Sequence, residues 1–210
     1  MSEQTVASLE PRWQKLVESA RTAFERGNYD YAIELSREVL AAAPGCLPVR
    51  KLQRAAQLKR GSGGGGFFAK ALSVVSTAPF LVSGNSSLAT APAKALASAQ
   101  KILDADPRSA PGLRLLGRAA SALGWHETAV FAFEALRESA PDDLANLVAL
   151  GRAHLSARRA EAAMRCAEAA LARESIDAAA QALLKDASVA QTMKAGQWEA
   201  GGDFRAKVKS

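Results

Sequence analysis

A period of 34 residues constrains the fold of this chain more than any other feature. Ala95, Ala129 and Ala163 lie 34 residues apart, and Pro107 and Pro141 repeat the same step. A small residue and a helix-breaking residue that recur at this interval are typical of stacked helical hairpins, in which each hairpin buries its apolar face against its neighbours. The spacing therefore predicts a repeat architecture, of the kind that binds other molecules far more often than it catalyses reactions.

The composition agrees with a helical repeat. Of the 210 residues, 49% are apolar and only 6% are aromatic. Alanine, which is abundant, enters helices at the lowest cost and lets them approach closely. We therefore predict an all-α fold. Cys46 and Cys166 have no Cys or His neighbours at metal-ligand spacing, so both are predicted to be small buried apolar residues.

The first repeat, residues 13–44, has the pattern of a helical hairpin. Apolar residues recur at helical spacing in its first half, Gly27 and Asn28 interrupt them, and a second apolar stripe begins at Ala32. The segment 27–32, GNYDYA, resembles the turn of the tetratricopeptide repeat (TPR) family. That family carries a small residue at position 8, Gly-Asp-Tyr near the turn, Ala at position 20 and Pro at position 32. The resemblance implies a TPR-like right-handed α-solenoid of helical hairpins.

Assigning Pro107 and Pro141 to position 32 places the other hairpins without further adjustment. Position 8 then holds small residues, namely Ala20, Gly117 and Gly151. Position 20 holds alanine in every hairpin, at Ala32, Ala95, Ala129 and Ala163. Helices cross most closely at these positions, so a side chain larger than a methyl group would push them apart.

This register divides the chain into four parts. They are an N-terminal hairpin at 1–46, a split hairpin at 47–107 with a glycine-linked apolar insertion at 61–90, two hairpins plus a capping helix at 108–193, and a tail at 194–210. In the split hairpin we expect the first helix at 48–59 and the second at 92–105. Lys185 takes the small position in the last helix, as suits a cap whose outer side meets water.

The insertion is the first candidate for a specific function. Residues 67–82 are rich in Phe, Leu and Val, but Lys70 and Pro79 leave the segment too short and too interrupted to span a bilayer. Three interpretations stay open: an extra helix packed on the solenoid, a contact with a partner or a second copy of the chain, and a membrane-surface element. For the last two, the predicted contact residues are Arg50, Lys51, Arg54, Lys59, Arg60, Phe67 and Phe68.

Positive charge is concentrated around this insertion. The chain has 27 basic and 21 acidic residues and a net charge of +6, yet residues 40–102 include eight of the basic and none of the acidic side chains. At about 1 kcal/mol per cation near an anionic surface, these residues could hold the protein peripherally. A membrane-associated assembly factor is therefore the alternative function. The segment lacks the aromatic interleaving and the motifs of nucleic-acid binders, so nucleic acid is not an expected partner.

A set of arginines is the second candidate. Position 9 of the first helix holds Arg21, Arg118 and Arg152, and Arg114 lies one turn before Arg118. The resemblance implies that these positions line a concave groove that receives a peptide or helix of another protein. Guanidinium groups stacked there would pair with carboxylates, which favours an acidic partner; the alternative is that they are simply solvated. Family members that bind chaperone tails carry Asn at position 9, so a chaperone tail is not expected.

No pattern in the sequence points to catalysis or to a cofactor. His126 and His154 are the only histidines, and neither lies in a metal-binding or nucleophile motif. Gly61, Gly63 and Gly66 match the letters G-x-G-x-x-G but follow a basic helix instead of a strand, so this run is predicted to be a flexible linker. We predict a non-catalytic protein-binding or scaffolding module without metal or cofactor. A cytoplasmic location is expected, because the N-terminus has no secretory signal pattern.

Overall fold

A computed structural model describes the backbone of residues 2–61 and 67–206 and the side chains of residues 2–61 and 77–193. Within these residues the structure contains α-helices and no β-strand, which confirms the all-α prediction. The helices are α1 (Pro11–Glu25), α2 (Tyr29–Ala42), α3 (Leu47–Gly61), α4 (Phe67–Ser87), α5 (Pro92–Ala105), α6 (Ala110–Ala122), α7 (His126–Ser139), α8 (Leu144–Ser156), α9 (Ala160–Leu171) and α10 (Ala178–Ala206). Most of the glycine run, residues 62–66, and the side chains of Phe67 and Phe68 lie outside the described residues.

The chain divides into two units, Met1–Ala132 and Phe133–Ser210. In the first unit, α1 and α2 form the predicted N-terminal hairpin. Gly27 takes the turn with a positive φ of 76°, a conformation that glycine adopts without steric cost. The side chain of Asn28 then accepts a hydrogen bond from the backbone N–H of Tyr31 and so caps α2. The GNYDYA segment therefore forms the turn that the sequence predicts.

The second hairpin of the first unit differs from the prediction. The expected first helix, at 48–59, is present within α3, but α3 packs against α2, whereas α5 packs against α4. Helix α4 comes from the apolar insertion, so a segment expected to be additional to the repeat supplies its first helix. The sequence analysis missed this because the spacing from Gly84, on α4, to Ala95 is one residue shorter than that from Gly117 to Ala129.

Gly84 occupies the small position of this hairpin, as a comparison with Gly151 in the second unit shows. A Cβ atom built on Gly84 would collide with Leu115 Cδ2 of the next helix and lie 3.1 Å from Ser98 Cβ. A Cβ atom built on Gly151 would meet the equivalent pair, Leu183 Cδ2 and, again at 3.1 Å, Cys166 Cβ. The two glycines therefore have the same role in two hairpins, each admitting the leucine of the following helix.

Gly84→Ala is expected to destabilise the protein by about 1–3 kcal/mol, because overpacking at this contact outweighs the gain of roughly 0.5–1 kcal/mol in helix propensity. Leu115 is itself buried and cannot easily move aside. Gly61→Ala is the matched control, since nothing lies within 4 Å of a Cβ atom there. Urea denaturation of both variants tests the contact, and equal stabilities would show that α4 and α6 are not closely packed at Gly84.

The N-terminal residues also belong to the first unit and tie its ends together. The backbone N–H of Gln4 donates to the carbonyl of Gly45 over 2.9 Å. The carboxylate of Glu3 accepts hydrogen bonds from the backbone N–H groups of Glu127 (3.2 Å) and Thr128 (2.6 Å). Glu3 thus caps α7 from a position far away in the sequence, and its negative charge interacts favourably with the dipole at the helix N-terminus.

The second unit contains α8, α9 and α10 packed in succession. Ala163 and Ala167 on α9 are buried with Leu183 and Ala187 on α10. Helix α10 does not end at Met193, where the sequence analysis placed the start of the tail, but continues to Ala206.

Both cysteines are buried and free, as predicted. Cys46 belongs to the core of the first hairpin, and Cys166 is buried on α9. Burial raises the pKa of each thiol, which disfavours the reactive thiolate form at neutral pH. These residues are therefore packing elements in the structure.

Candidate functional site

A polar network lies at the meeting of α2, α3 and α5 in the first unit. Asp104 Oδ1 accepts hydrogen bonds from the side-chain amides of Gln53 (3.1 Å), Gln57 (3.2 Å) and Gln100 (2.9 Å). Its other oxygen, Oδ2, lies 3.2 Å from Arg37 Nε. Because Gln53 and Gln57 are buried, their amide donors depend on this carboxylate for a partner.

Arg50 lies beside this network and is only 4% exposed. Its guanidinium donates to Gln100 Oε1 and, over 2.8 Å, to the carbonyl of Pro44. Its Nε makes no hydrogen bond within the described residues. Burial lowers the pKa of Arg50 to about 10, against the opposing effect of Asp104, so the group is still charged at neutral pH.

This position corrects the prediction for Arg50. A side chain expected to meet a partner or a membrane surface is instead inside the fold, where neighbouring carbonyl oxygens satisfy two of its donors. Net charge along the sequence does not show which side of a helix a cation occupies. The burial of Arg50 follows from the approach of α5, which is distant in sequence.

A cavity of about 300 Å³ opens next to Arg50. Leu40 and Ala41 of α2 line one side, and Leu96 and Ala97 of α5 line another, with Trp125 at the turn before α7. Three cations also border it, namely Arg37, Arg50 and Lys101, and none of its lining residues is acidic. An apolar cavity of this size with a few polar groups at its wall has the character of a small-ligand site.

The other cations of α3 have varied surroundings. Arg54 donates to the carbonyl of Pro107, and Arg60 forms an exposed ion pair with Asp30 at 3.1 Å. The ammonium group of Lys51 lies 5.9 Å from the ring centroid of Phe131. Lys59 is exposed at the end of α3. The structure therefore does not bring the five cations together on one surface.

Two of the predicted groove arginines lie together on α6. Arg114 and Arg118 are one turn apart and exposed, and Arg118 Nη1 donates to Asn85 Oδ1 of α4 over 3.2 Å. Asn85 directly follows Gly84, so it stands at the position of the α4–α5 hairpin that corresponds to Arg118. Sequence analysis missed Asn85 for the same reason that it missed Gly84. The two glycines at 84 and 117, 33 residues apart, are the signal that would have identified both.

The remaining two arginines are exposed elsewhere. Arg21 lies on α1 and forms an exposed ion pair with Glu18 of the same helix at 2.7 Å. Arg152 lies on α8 in the second unit and is also exposed. A groove shared by all four arginines stays a prediction.

His154, in the second unit, is a buried histidine whose protonation opposes folding. Its Nε2 lies 3.8 Å from Glu134 Oε1, and its Nδ1 makes no hydrogen bond within the described residues. Burial lowers its pKa, Glu134 acts in the opposite direction, and Arg159, Arg137 and Arg165 lower it further. The neutral imidazole is therefore the form that the folded unit prefers.

We expect the free energy of unfolding to decrease as the pH falls below about 6.5, where the unfolded chain takes up a proton at His154 and the folded protein does not. The contribution above that pH is constant, and the slope below it is at most about 1.4 kcal/mol per pH unit. His154→Gln should remove this part of the slope in denaturant titrations between pH 5 and pH 7, roughly the range over which a histidine titrates. His126→Gln leaves His154 in place, so a slope lost in that control instead would contradict the assignment.

Further site chemistry is limited in the part of the chain that the structure describes. No group of three His, Cys, Asp or Glu side chains there is arranged to hold a metal ion. None of the helices searched over the same residues has both the length and the apolar content needed to cross a bilayer.

Comparisons with known proteins return solved TPR structures. A TPR protein from Parabacteroides merdae is 14% identical, with 86% of this chain and 60% of that chain covered and a TM-score of 0.46. A thermophilic TPR protein from Thermus thermophilus is 18% identical, with 93% and 96% covered and a TM-score of 0.40. The TPR2AB domain of yeast Sti1, in complex with an HSP90 peptide, is 13% identical, with 84% and 69% covered and a TM-score of 0.46. No family model and no curated protein matches the chain.

The chain's own contacts give the fold independently of these likenesses. Two hairpins admit a leucine from the next helix at an equivalent glycine, and the buried alanines Ala95 and Ala163 follow at similar spacing. The fold is TPR-like. This TPR-like chain spans 60% of the length of the P. merdae protein.

Proposed function

We propose that the chain is a non-catalytic protein-binding module and that one exposed surface of its first unit binds an acidic segment of another protein. This surface, the α4–α6 face, consists of Val82 and Asn85 on α4 and Arg114 and Arg118 on α6. The observation that carries the proposal is the hydrogen bond between Asn85 and Arg118, because it joins the exposed faces of two helices and orients a cation on them.

The charge of Arg118 is available to a partner. Its contact is with the neutral oxygen of Asn85, and within the described residues no carboxylate pairs with it. A guanidinium has five N–H donors in a planar fork, so the bond to Asn85 leaves donors that suit the oxygens of a carboxylate. Arg114, one turn away on the same exposed side, extends the positive charge along α6.

Val82 adds an apolar contact to this surface. Its side chain is 72% exposed, and it lies three residues before Asn85 on α4, hence on the same side of that helix. An exposed apolar side chain next to oriented cations matches a segment in which acidic and aliphatic residues alternate. Burial of the aliphatic groups would supply affinity and the carboxylates would supply specificity.

The proposal is tested with a short fluorescent peptide rich in Glu and Leu. We expect its anisotropy to rise with protein concentration, and the double variant Arg114→Glu/Arg118→Glu to weaken binding at least tenfold, because attraction becomes like-charge repulsion. A Lys and Leu peptide of equal length should not bind. Affinity capture followed by mass spectrometry, with wild type and the double variant side by side, then identifies the native partner.

The double variant Lys15→Glu/Arg26→Glu is the control. Both of these residues are exposed on or next to α1, so the change in net charge is identical but the α4–α6 face is intact. Equal weakening in both double variants would mean that the peptide responds to net charge alone, and the proposed face would be wrong. Unchanged binding in Arg114→Glu/Arg118→Glu would lead to the same conclusion.

A further inference from the structure

The cavity beside Arg50 differs from ordinary packing defects in its size and origin. Folded interiors contain few voids larger than a water molecule, whereas this space is about 300 Å³. It lies beside α3, between α2 and α5, the second helices of their hairpins. Helix α3 packs on the first hairpin as a following first helix does, but α5 pairs with α4. The space is thus what remains where α3 has no second helix of its own.

The lining selects the chemistry of an occupant. Leu40, Leu96 and Trp125 make the walls apolar, while Arg37, Arg50 and Lys101 make the border positive. Asp104 pairs with Arg37, but it is not among the lining residues. A ligand with an apolar body and one negative charge matches both features, and burial of the apolar part supplies the main driving force.

Size restricts the occupant further. The volume is at the lower end of the range of about 300–1,000 Å³ that small-molecule sites span. It is too small for a helix, which with its side chains is about 10–12 Å across, but it suits a single alkyl chain. Arg50, 4% exposed and with its Nε unpaired, places a charge at the wall where the head of such a chain would end.

We infer that this cavity binds a small amphiphilic carboxylate, with its alkyl chain between α2 and α5 and its anionic head at Arg50 and Lys101. The site is separate from the α4–α6 face and does not depend on the proposed function. Because the cavity borders the network around Asp104, an occupant would also stabilise the packing of α5 against α3.

Isothermal titration calorimetry with decanoate, below its micelle concentration, tests the inference on the whole chain. We expect saturable binding of one decanoate per chain and at least tenfold weaker binding of decanol, which has the same alkyl length without the charge. Lys101→Gln should weaken the binding of decanoate and leave that of decanol unchanged. Equal affinity for the two ligands, or no saturable binding of decanoate, would overturn the inference.

Two filling variants locate the binding. Leu96→Trp places a larger side chain in the cavity and should abolish binding of decanoate, with circular dichroism as the check that the protein is folded. If Leu96→Trp does not fold, Ala97→Phe replaces it, since Ala97 is exposed and lines the cavity. Undiminished binding in a folded filling variant would place decanoate elsewhere and contradict the inference.

Discussion

Asp104→Ala is expected to lower the free energy of unfolding by about 3–5 kcal/mol, as is typical when a buried charged network loses one partner. The ion pair with Arg37 is the smaller part of this loss, because the side chains of Arg37 and Asp104 are 54% and 21% exposed and partly exposed pairs contribute under about 1 kcal/mol. The larger part comes from Gln53 and Gln57. Each leaves a buried amide donor without an acceptor, at a cost of about 1–3 kcal/mol.

Urea denaturation measures this loss, and two further variants separate its causes. Asp104→Asn keeps the shape and one carbonyl oxygen, so it should cost less than Asp104→Ala. Asp30→Ala removes the carboxylate of another Asp–Arg pair, in which Asp30 is 80% exposed, and should cost less than about 1 kcal/mol. If Asp104→Ala costs no more than Asp30→Ala, the buried amides do not depend on Asp104.

Trp125→Ala is expected to cost about 3–5 kcal/mol, the usual loss for a large buried aromatic side chain. Trp125 is 2% exposed and contacts the backbone region of Gly45, where its Cζ2 atom would lie 3.4 Å from a Cβ atom. It also forms part of the wall of the 300 Å³ cavity. Its removal would therefore join new empty volume to existing empty volume, and the surrounding helices could not easily close the gap.

Trp13→Ala is the natural comparison, because Trp13 is only partly buried and stacks under the guanidinium of Arg12 at 4.2 Å. Thermal or urea unfolding should show a clearly smaller loss for this variant than for Trp125→Ala. Trp125→Phe, which keeps an aromatic ring, should fall between the two. Equal losses for Trp13→Ala and Trp125→Ala would contradict a dominant role of burial at Trp125.

The features that were predictable from the sequence are those set by local sterics. The turn at Gly27 and the buried Ala32 and Ala163 follow from rules that act over one helical hairpin. The role of Gly84 was not predictable, because one missing residue between Gly84 and Ala95 shifted the only register available. Apolar composition alone then made the segment seem additional to the repeat.

The site residues were harder to predict than the fold. Arg50 meets Gln100, and Gln53 meets Asp104, across about fifty residues of sequence, and no repeat pattern encodes such pairings. Arg114 and Arg118 could be placed on one exposed side because helical spacing suffices for that. Their partner Asn85 required the register of α4, which only the structure supplies.

The hydrogen bonds of Glu3 have a consequence for how the first unit forms during synthesis. In an ideal repeat protein each hairpin contacts only its neighbours, so folding can follow the chain as it emerges. The acceptor here is Glu3 and its donors are Glu127 and Thr128, so the N-terminal residues have to wait until α7 has left the ribosome. A chain interrupted before α7 would therefore keep its earliest residues untied, and the first unit would complete its folding late, in one step that joins its two ends.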